Sequence, residues 1–198
     1  MIKKGVLYKH LKQKGVIMKY LIASDVHGSY YYAKKIIDLF NQEKADKILL
    51  LGDILYHGPR NDLPREYSPK QVFELFNEYK NDILCVRGNC DAEVDQMVLE
   101  FPILADYSII DMGKNVIFAT HGHVHNETNL PPLKKGDVLL HGHTHLVVCK
   151  NLGNVTYINP GSIALPKDGN HGYIIYENGN FTFKTVDGDI LNTFNALI

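Results

Sequence analysis

The 198-residue chain has no surplus charge of either sign, since 21 Lys and Arg stand against 22 Asp and Glu. No general field therefore recruits long nucleic acid or an anionic membrane, and chemistry on phosphates must rest on local charge. Cysteine is scarce as well. Cys85, Cys90 and Cys149 are odd in number and lack the C-x-x-C pairing of a structural zinc or redox motif, which suits a reducing cytoplasm. No apolar run reaches the ~18 residues that span a bilayer, and the start has neither the apolar core nor the small-residue cleavage site of an export signal. The expectation is a cytoplasmic protein that is neither exported nor anchored.

Residues 1–17 lack acidic groups altogether, carry five lysines and precede a second methionine, Met18. Lys14-Gly15-Val16 can be encoded by a purine-rich stretch resembling a bacterial ribosome-binding site. Residues 1–17 are thus read as an N-terminal extension ahead of a start at Met18, the other reading being a basic, partly helical arm. Residues 18–198 suit one domain, because a single core typically serves ~100–200 residues. A hydrophobic content of 45% with 22% charge is that of an ordinary globular protein.

From Met18 onward, short apolar runs alternate with helical patterns, the signature of a layered α/β fold. Strands are expected at Lys19–Ser24, Lys47–Leu51, Ile83–Val86, Tyr107–Met112, Val116–Thr120, Val138–His141, Leu146–Lys150 and Val155–Asn159. Ile174–Tyr176 and Phe181–Val186 should close the fold as a hairpin around Asn178-Gly179. Apolar residues at spacings of three and four predict helices over Tyr31–Gln42 and Lys70–Tyr79, with Pro69 near the start of the second. His57–Ser68 and Asn126–Gly136 read as long loops, which in compact domains are often functional.

Nearly every cluster of His, Asp and Asn lies just after an expected strand, where loop tips of an α/β sheet converge on a ligand. Asp25 and His27, two apart on an extended segment, face the same side and can reach one metal. Asp53 follows Gly52 at the end of an apolar strand, and a carboxylate there can bridge two cations ~3.5–4 Å apart. Asn89 of Arg87-Gly88-Asn89-Cys90-Asp91 offers an amide oxygen. Each motif alone has a blander reading as a turn or cap. The two groups His121-Gly122-His123-Val124-His125 and His141-Gly142-His143-Thr144-His145 change that balance, because they place six of the ten histidines within 25 residues. Packing does not explain such groups; a metal site does. Asp, His and Asn donors without thiolate favour Mn²⁺, Fe or Zn²⁺ over a closed structural zinc, and imidazole argues against Mg²⁺ or Ca²⁺.

The order D-x-H, G-D, G-N-x-D, H-G-H, G-H-x-H resembles the calcineurin-like metallophosphoesterase superfamily, and closely its small bacterial YfcE-like phosphodiesterases. The likeness runs from about Lys19 to Pro166 and takes in Gly58-Pro59-Arg60-Asn61 and Asn159-Pro160-Gly161-Ser162. It implies a four-layer α-β-β-α sandwich of two mixed sheets with a dinuclear site at the strand-end loops. It further implies two divalent ions, Mn²⁺ foremost with Fe, Zn or Ni as alternatives. The first would be held by Asp25, His27, Asp53 and His145, the second by Asp53, Asn89, His121 and His143, with Asp53 as the bridge. Spacing alone leaves the two H-G-H-x-H groups equivalent; only the family pattern takes one ligand from the first and two from the second. His123 and His125 then stand beside the ligands.

The resemblance implies a phosphodiesterase in which a metal-bridging hydroxide attacks a small phosphodiester. Two divalent ions, two carboxylates and one hydroxide leave a formal charge of about +1, which matches a diester monoanion. A monoester dianion would need added positive charge, for which Arg60 and Arg87 are candidates. Many relatives carry histidine where this chain has Cys90, and a neutral thiol with pKa ~8.5 is a poorer proton donor than an imidazolium with pKa ~6.5. Leaving-group protonation then falls to His57, His123 or another residue, or the substrates have acidic leaving groups. The alternatives are a phosphomonoesterase acting on nucleotides or phosphoproteins and a non-catalytic interaction scaffold. Homo-oligomerisation is left open by the sequence.

Overall fold

The computed structural model describes residues 18–197. The N-terminal extension of residues 1–17 lies outside them. Eleven strands and three helices follow the alternation of the sequence. They are β1 Lys19–Ala23, α1 Tyr30–Glu43, β2 Lys47–Leu50, α2 Pro69–Glu78, β3 Ile83–Cys85 and α3 Glu93–Gln96, then β4 Tyr107–Asp111, β5 Val116–Thr120, β6 Val138–Leu140, β7 Val147–Asn151 and β8 Thr156–Pro160. Strands β9 Gly172–Glu177, β10 Asn180–Thr185 and β11 Ile190–Asn195 complete the chain. The expected closing hairpin is therefore a three-stranded meander. Its last strand escaped the sequence reading because Ile190–Asn195 lies at a sheet edge, mostly exposed, and shows no buried alternation.

Two mixed sheets result. One has the order β11-β10-β9-β1-β2-β3 and the other β4-β5-β6-β8-β7. Each contains a parallel trio, β1-β2-β3 in the first and β5-β6-β8 in the second. The inner core includes Ile22, Leu49, Leu51, Ile117, Leu140 and Ile158, drawn from both sheets. Alternate residues of the same strands, including Leu21, Ile48 and Leu50, turn outward against α1 and α2. Each fully buried aliphatic side chain of this kind contributes roughly 1.5–3 kcal/mol. On the far side of the second sheet, Leu133 of a loop packs on Phe118, Leu139 and Val155, so that layer is loop rather than helix.

Both main helices begin where their sequences direct. Ser29 caps α1 by accepting a hydrogen bond from the Tyr32 amide, and Ala33, Ile36 and Ile37 bury one face. Pro69 sits in the first turn of α2, where it removes no hydrogen bond, and Val72 and Phe76 pack inward. The α1 cap lies just two residues past His27, so helix docking also anchors the loop that carries the D-x-H motif.

Candidate metal centre

The C-terminal ends of the two parallel trios meet, and all seven candidate ligands lie on the loops just beyond them. Backbone hydrogen bonds tie these loops together past the strand ends. Asp25 N donates to Gly52 O at 3.1 Å, His27 N to Asp53 O at 2.9 Å and Gly142 N to His121 O at 2.9 Å. Among the described residues eight non-glycine positions have positive φ, and five of them are Asp25, His27, Asp53, His143 and His145. The left-handed region costs roughly 1–2 kcal/mol per ordinary residue, so strain is concentrated where side chains are turned toward one point. Two glycines permit the close approach. A Cβ on Gly88 would stand 2.1 Å from Asp53 Oδ1, and one on Gly142 would stand 1.9 Å from Ser24 Oγ.

Asp25 is fully buried. Its Oδ2 accepts from Ser24 Oγ at 2.6 Å and from the His143 amide at 3.0 Å, while Oδ1 has no hydrogen-bond partner. That orphan oxygen faces His145 Nε2 at 3.2 Å and His27 Nε2 at 3.6 Å. Asp53 Oδ2 lies 3.7 Å from His27 Nε2 and 3.4 Å from His121 Nε2, and its Oδ1 accepts from the Cys90 amide at 2.8 Å. Asn89 Oδ1 is 3.1 Å from His121 Nε2, and His143 Nδ1 is 3.3 Å from the same nitrogen. Donor atoms of Asp25, His27 and His145 fall within 4.8 Å of one another, as do those of Asp25, Asp53 and His121. The structure thus brings all seven together.

Backbone carbonyls set the imidazole tautomers. Nδ1 of His27, His121 and His145 faces the carbonyls of Tyr56, Leu51 and Leu165 at 2.8, 2.6 and 2.6 Å. A carbonyl only accepts, so in the neutral ring Nδ1 carries the proton and Nε2 is the nitrogen left to offer a lone pair to the centre. Such donors, with a buried carboxylate oxygen lacking a partner, fit divalent cations.

The electrostatics show how strongly these groups act on one another. Burial opposes the Asp25 carboxylate, yet the facing imidazoles of His145 and His27, with the charge of His121 behind them, hold it well below the usual range. Burial likewise disfavours charge on His121, but Asp53 and Asp25 outweigh it and raise the imidazolium to about 9. For His143, burial and the neighbouring His121 charge act together and push it down to about 4. Burial, then the charge of Asp53, raises the Cys90 thiol to about 12.

Other expected site residues are placed unequally. Arg60 and Cys90 line a cleft of about 580 Å³ that reaches His27, Asp53, Asn89, His143 and His145. His123 is exposed, its ring 5.4 Å from that of His121, and it does not line this cleft. Arg87 points elsewhere, donating to the Asp91 carbonyl and to Glu93 at 3.3 Å each. His57 packs edge-on against Tyr56 and Tyr67. Sequence reasoning gave no role to Asp91, whose carboxylate accepts from the amides of Asp53, Ile54 and Gly88 at 2.7–2.8 Å and fixes the Asp53 loop. It also missed Lys167, a cleft residue with no motif signal of its own.

Comparison with known proteins agrees with this fold. The model of the calcineurin-like phosphoesterase superfamily domain matches residues 18–180. The chain is 47% identical over 176 residues to phosphodiesterase YfcE of Escherichia coli K12, covering 89% of this chain and 91% of that one. A solved structure of the E. coli phosphoesterase YfcE superposes with a TM-score of 0.87 at 42% identity, over 90% of this chain and 100% of that one. A phosphodiesterase of Methanocaldococcus jannaschii is 28% identical over 152 residues, 73% of this chain and 83% of its own. With the sequence match and the fold agreeing over nearly all the described residues, the chain belongs to the calcineurin-like phosphoesterase superfamily.

Proposed function

We propose that this protein hydrolyses small phosphate diesters in the cytoplasm with two divalent ions, Mn²⁺ best suited to the donors. Asp25, His27 and His145 with Asp53 would hold one ion, and Asn89, His121 and His143 with Asp53 the other. The observation that carries the reading is the position of Asp53, whose Oδ2 faces His27 on one side and His121 on the other. When bound, two such ions lower the pKa of a shared water and stabilise charge on the phosphoryl oxygens.

The protein's own residues prepare that chemistry. The carbonyls of Tyr56, Leu51 and Leu165 orient three imidazoles, and Asp91 holds the Asp53 loop, so little reorganisation remains for the reaction itself. Two divalent cations against two carboxylates leave a formal charge of about +2, enough for one hydroxide and one diester monoanion. Cys90, whose sulfur lies within 4.8 Å of donor atoms of His27 and Asp53, is a neutral thiol and brings no positive charge to a leaving oxygen. Diesters with acidic leaving groups, such as aryl diesters, are therefore preferred.

Metal analysis together with turnover of an aryl diester and an aryl monoester tests this reading. Two ions per chain and faster diester cleavage are expected. Faster monoester cleavage would point to a phosphomonoesterase instead. A chain that binds no ion and cleaves neither substrate would be a scaffold, although a buried carboxylate oxygen without a partner gives a scaffold no benefit.

A further inference from the structure

Beyond the metal-facing donors, the cleft holds two cations, Arg60 and Lys167. Among the described residues neither joins an ion pair, although seven other lysines and arginines do. Both are mounted on backbone that is fixed to the centre. Asn61 braces the Arg60 loop, its Nδ2 donating to the His57 carbonyl at 2.8 Å and its amide to the Gly58 carbonyl at 3.3 Å. Gly58 lies so close to Cys90 that a Cβ there would stand 3.4 Å from Sγ. On the other wall the Lys167 amide donates to the His145 carbonyl at 2.9 Å, and His145 Nδ1 in turn donates to the Leu165 carbonyl. One cation is therefore tied to the Asn89–Cys90 side of the centre and the other to the His145 side.

Charge matching gives this pair a purpose. Two divalent ions, two carboxylates, one hydroxide and one diester monoanion sum to about zero. A diester with neutral arms leaves Arg60 and Lys167 without a counter-charge in the cleft. A terminal phosphate carries a charge of about −1.5 to −2 at neutral pH and suits an arginine fork on one side of the cleft and a lysine point charge on the other. We infer that the cleft is built for a diester bearing a second, terminal phosphate, which Arg60 and Lys167 hold while the diester phosphorus lies at the metal centre. This inference rests on the diesterase reading and narrows its substrate class.

The test compares thymidine 5′-(4-nitrophenyl phosphate) with and without a 3′-phosphate, using the Mn²⁺-loaded full chain. The 3′-phosphorylated diester should be cleaved with a kcat/KM about tenfold higher, mainly through KM, the equivalent of one charge-assisted hydrogen bond. Lys167→Gln and Arg60→Gln should each pull that ratio toward one, and Lys167→Arg should keep most of it. A wild-type ratio at or below one overturns the inference while leaving the diesterase intact. So does a ratio that survives in the double variant. If the variants fail to fold, the wild-type ratio still decides. Cleavage of neither diester by protein holding two ions removes the diesterase reading and this inference together.

Discussion

The two H-G-H-x-H groups are spelled alike and used differently. After β5, His121 turns into the centre, His123 is exposed and His125 packs edge-on against Phe118. After β6 the first histidine faces away, since His141 stacks on Tyr157 with its Nε2 3.5 Å from Glu127, while His143 and His145 reach the centre. Backbone conformation makes the difference. Left-handed φ values of 65° at His143 and 62° at His145 swing those side chains inward, whereas in the first group only Gly122 has positive φ. Identical side-chain spacing is thus no guide to direction once the chain has left its strand.

The largest effect should come from the residue that faces both groups. Asp53→Asn weakens each candidate site at once, and diester turnover should fall by at least about 10³-fold, beyond the roughly 10–100-fold typical of a supporting partner. Retention of two ions with near-normal turnover would falsify the shared-carboxylate assignment.

Next, alanine at equivalent positions should break the apparent symmetry. His121→Ala should cost about 10²-fold or more and one ion, His123→Ala less than about tenfold, and His143→Ala far more than His141→Ala. Metal content and kcat/KM across the four variants check the pattern. Equal losses at His121 and His123 would mean that the exposed ring is a ligand after all.

Cys90→His should produce a smaller effect, and a gain. An imidazolium supplies the proton and positive charge that the thiol lacks, so activity on aryl monoesters and alkyl leaving groups should rise relative to aryl diesters. A well-placed general acid is worth ~10²–10⁴-fold, and a fraction of that is measurable. An unchanged ranking of the three substrates, with two ions still bound, would make Cys90 a packing residue only.

The smallest effect is a pH dependence in which the two groups oppose each other. In chelator, His121, held at about 9, contributes stability that is complete below its ordinary 6.5 and lost as pH rises through 9. His143, pushed to about 4, stays neutral in the fold while the unfolded chain takes up a proton, so stability falls as pH drops from 6.5 toward 4. Melting temperature of the chelated protein should therefore peak near pH 6.5. Added Mn²⁺ should stabilise most on the alkaline side, where the donors have lost their protons. A chelated protein that gains stability steadily up to pH 9 contradicts the coupling of His121 to Asp53.

The strands that carry the centre were legible because each is a short, largely apolar and mostly buried run that ends in a chemically distinctive cluster. Leu49 and Leu50 followed by Gly52-Asp53 is such a run. Strand β11 was not legible, because its pairing with β10 is backbone hydrogen bonding at an edge and leaves little trace in side-chain polarity. Helix α3, one turn long, is set by the Asp95 carboxylate accepting from the Ala92 amide, a local bond with no periodic signal.

By itself the sequence determined the α/β alternation and supplied the candidate donors, since hydrophobic period and residue chemistry are written into it position by position. Tertiary structure alone decided how the backbone aims the inward histidines that the family resemblance had named, that Asp91 holds the Asp53 loop, that Arg87 is occupied while Arg60 faces the cleft, and that Lys167 joins it from a segment beyond the motifs. Those outcomes depend on left-handed turns and on contacts between residues as far apart as Asp25 and His145, and no local pattern in the chain encodes them.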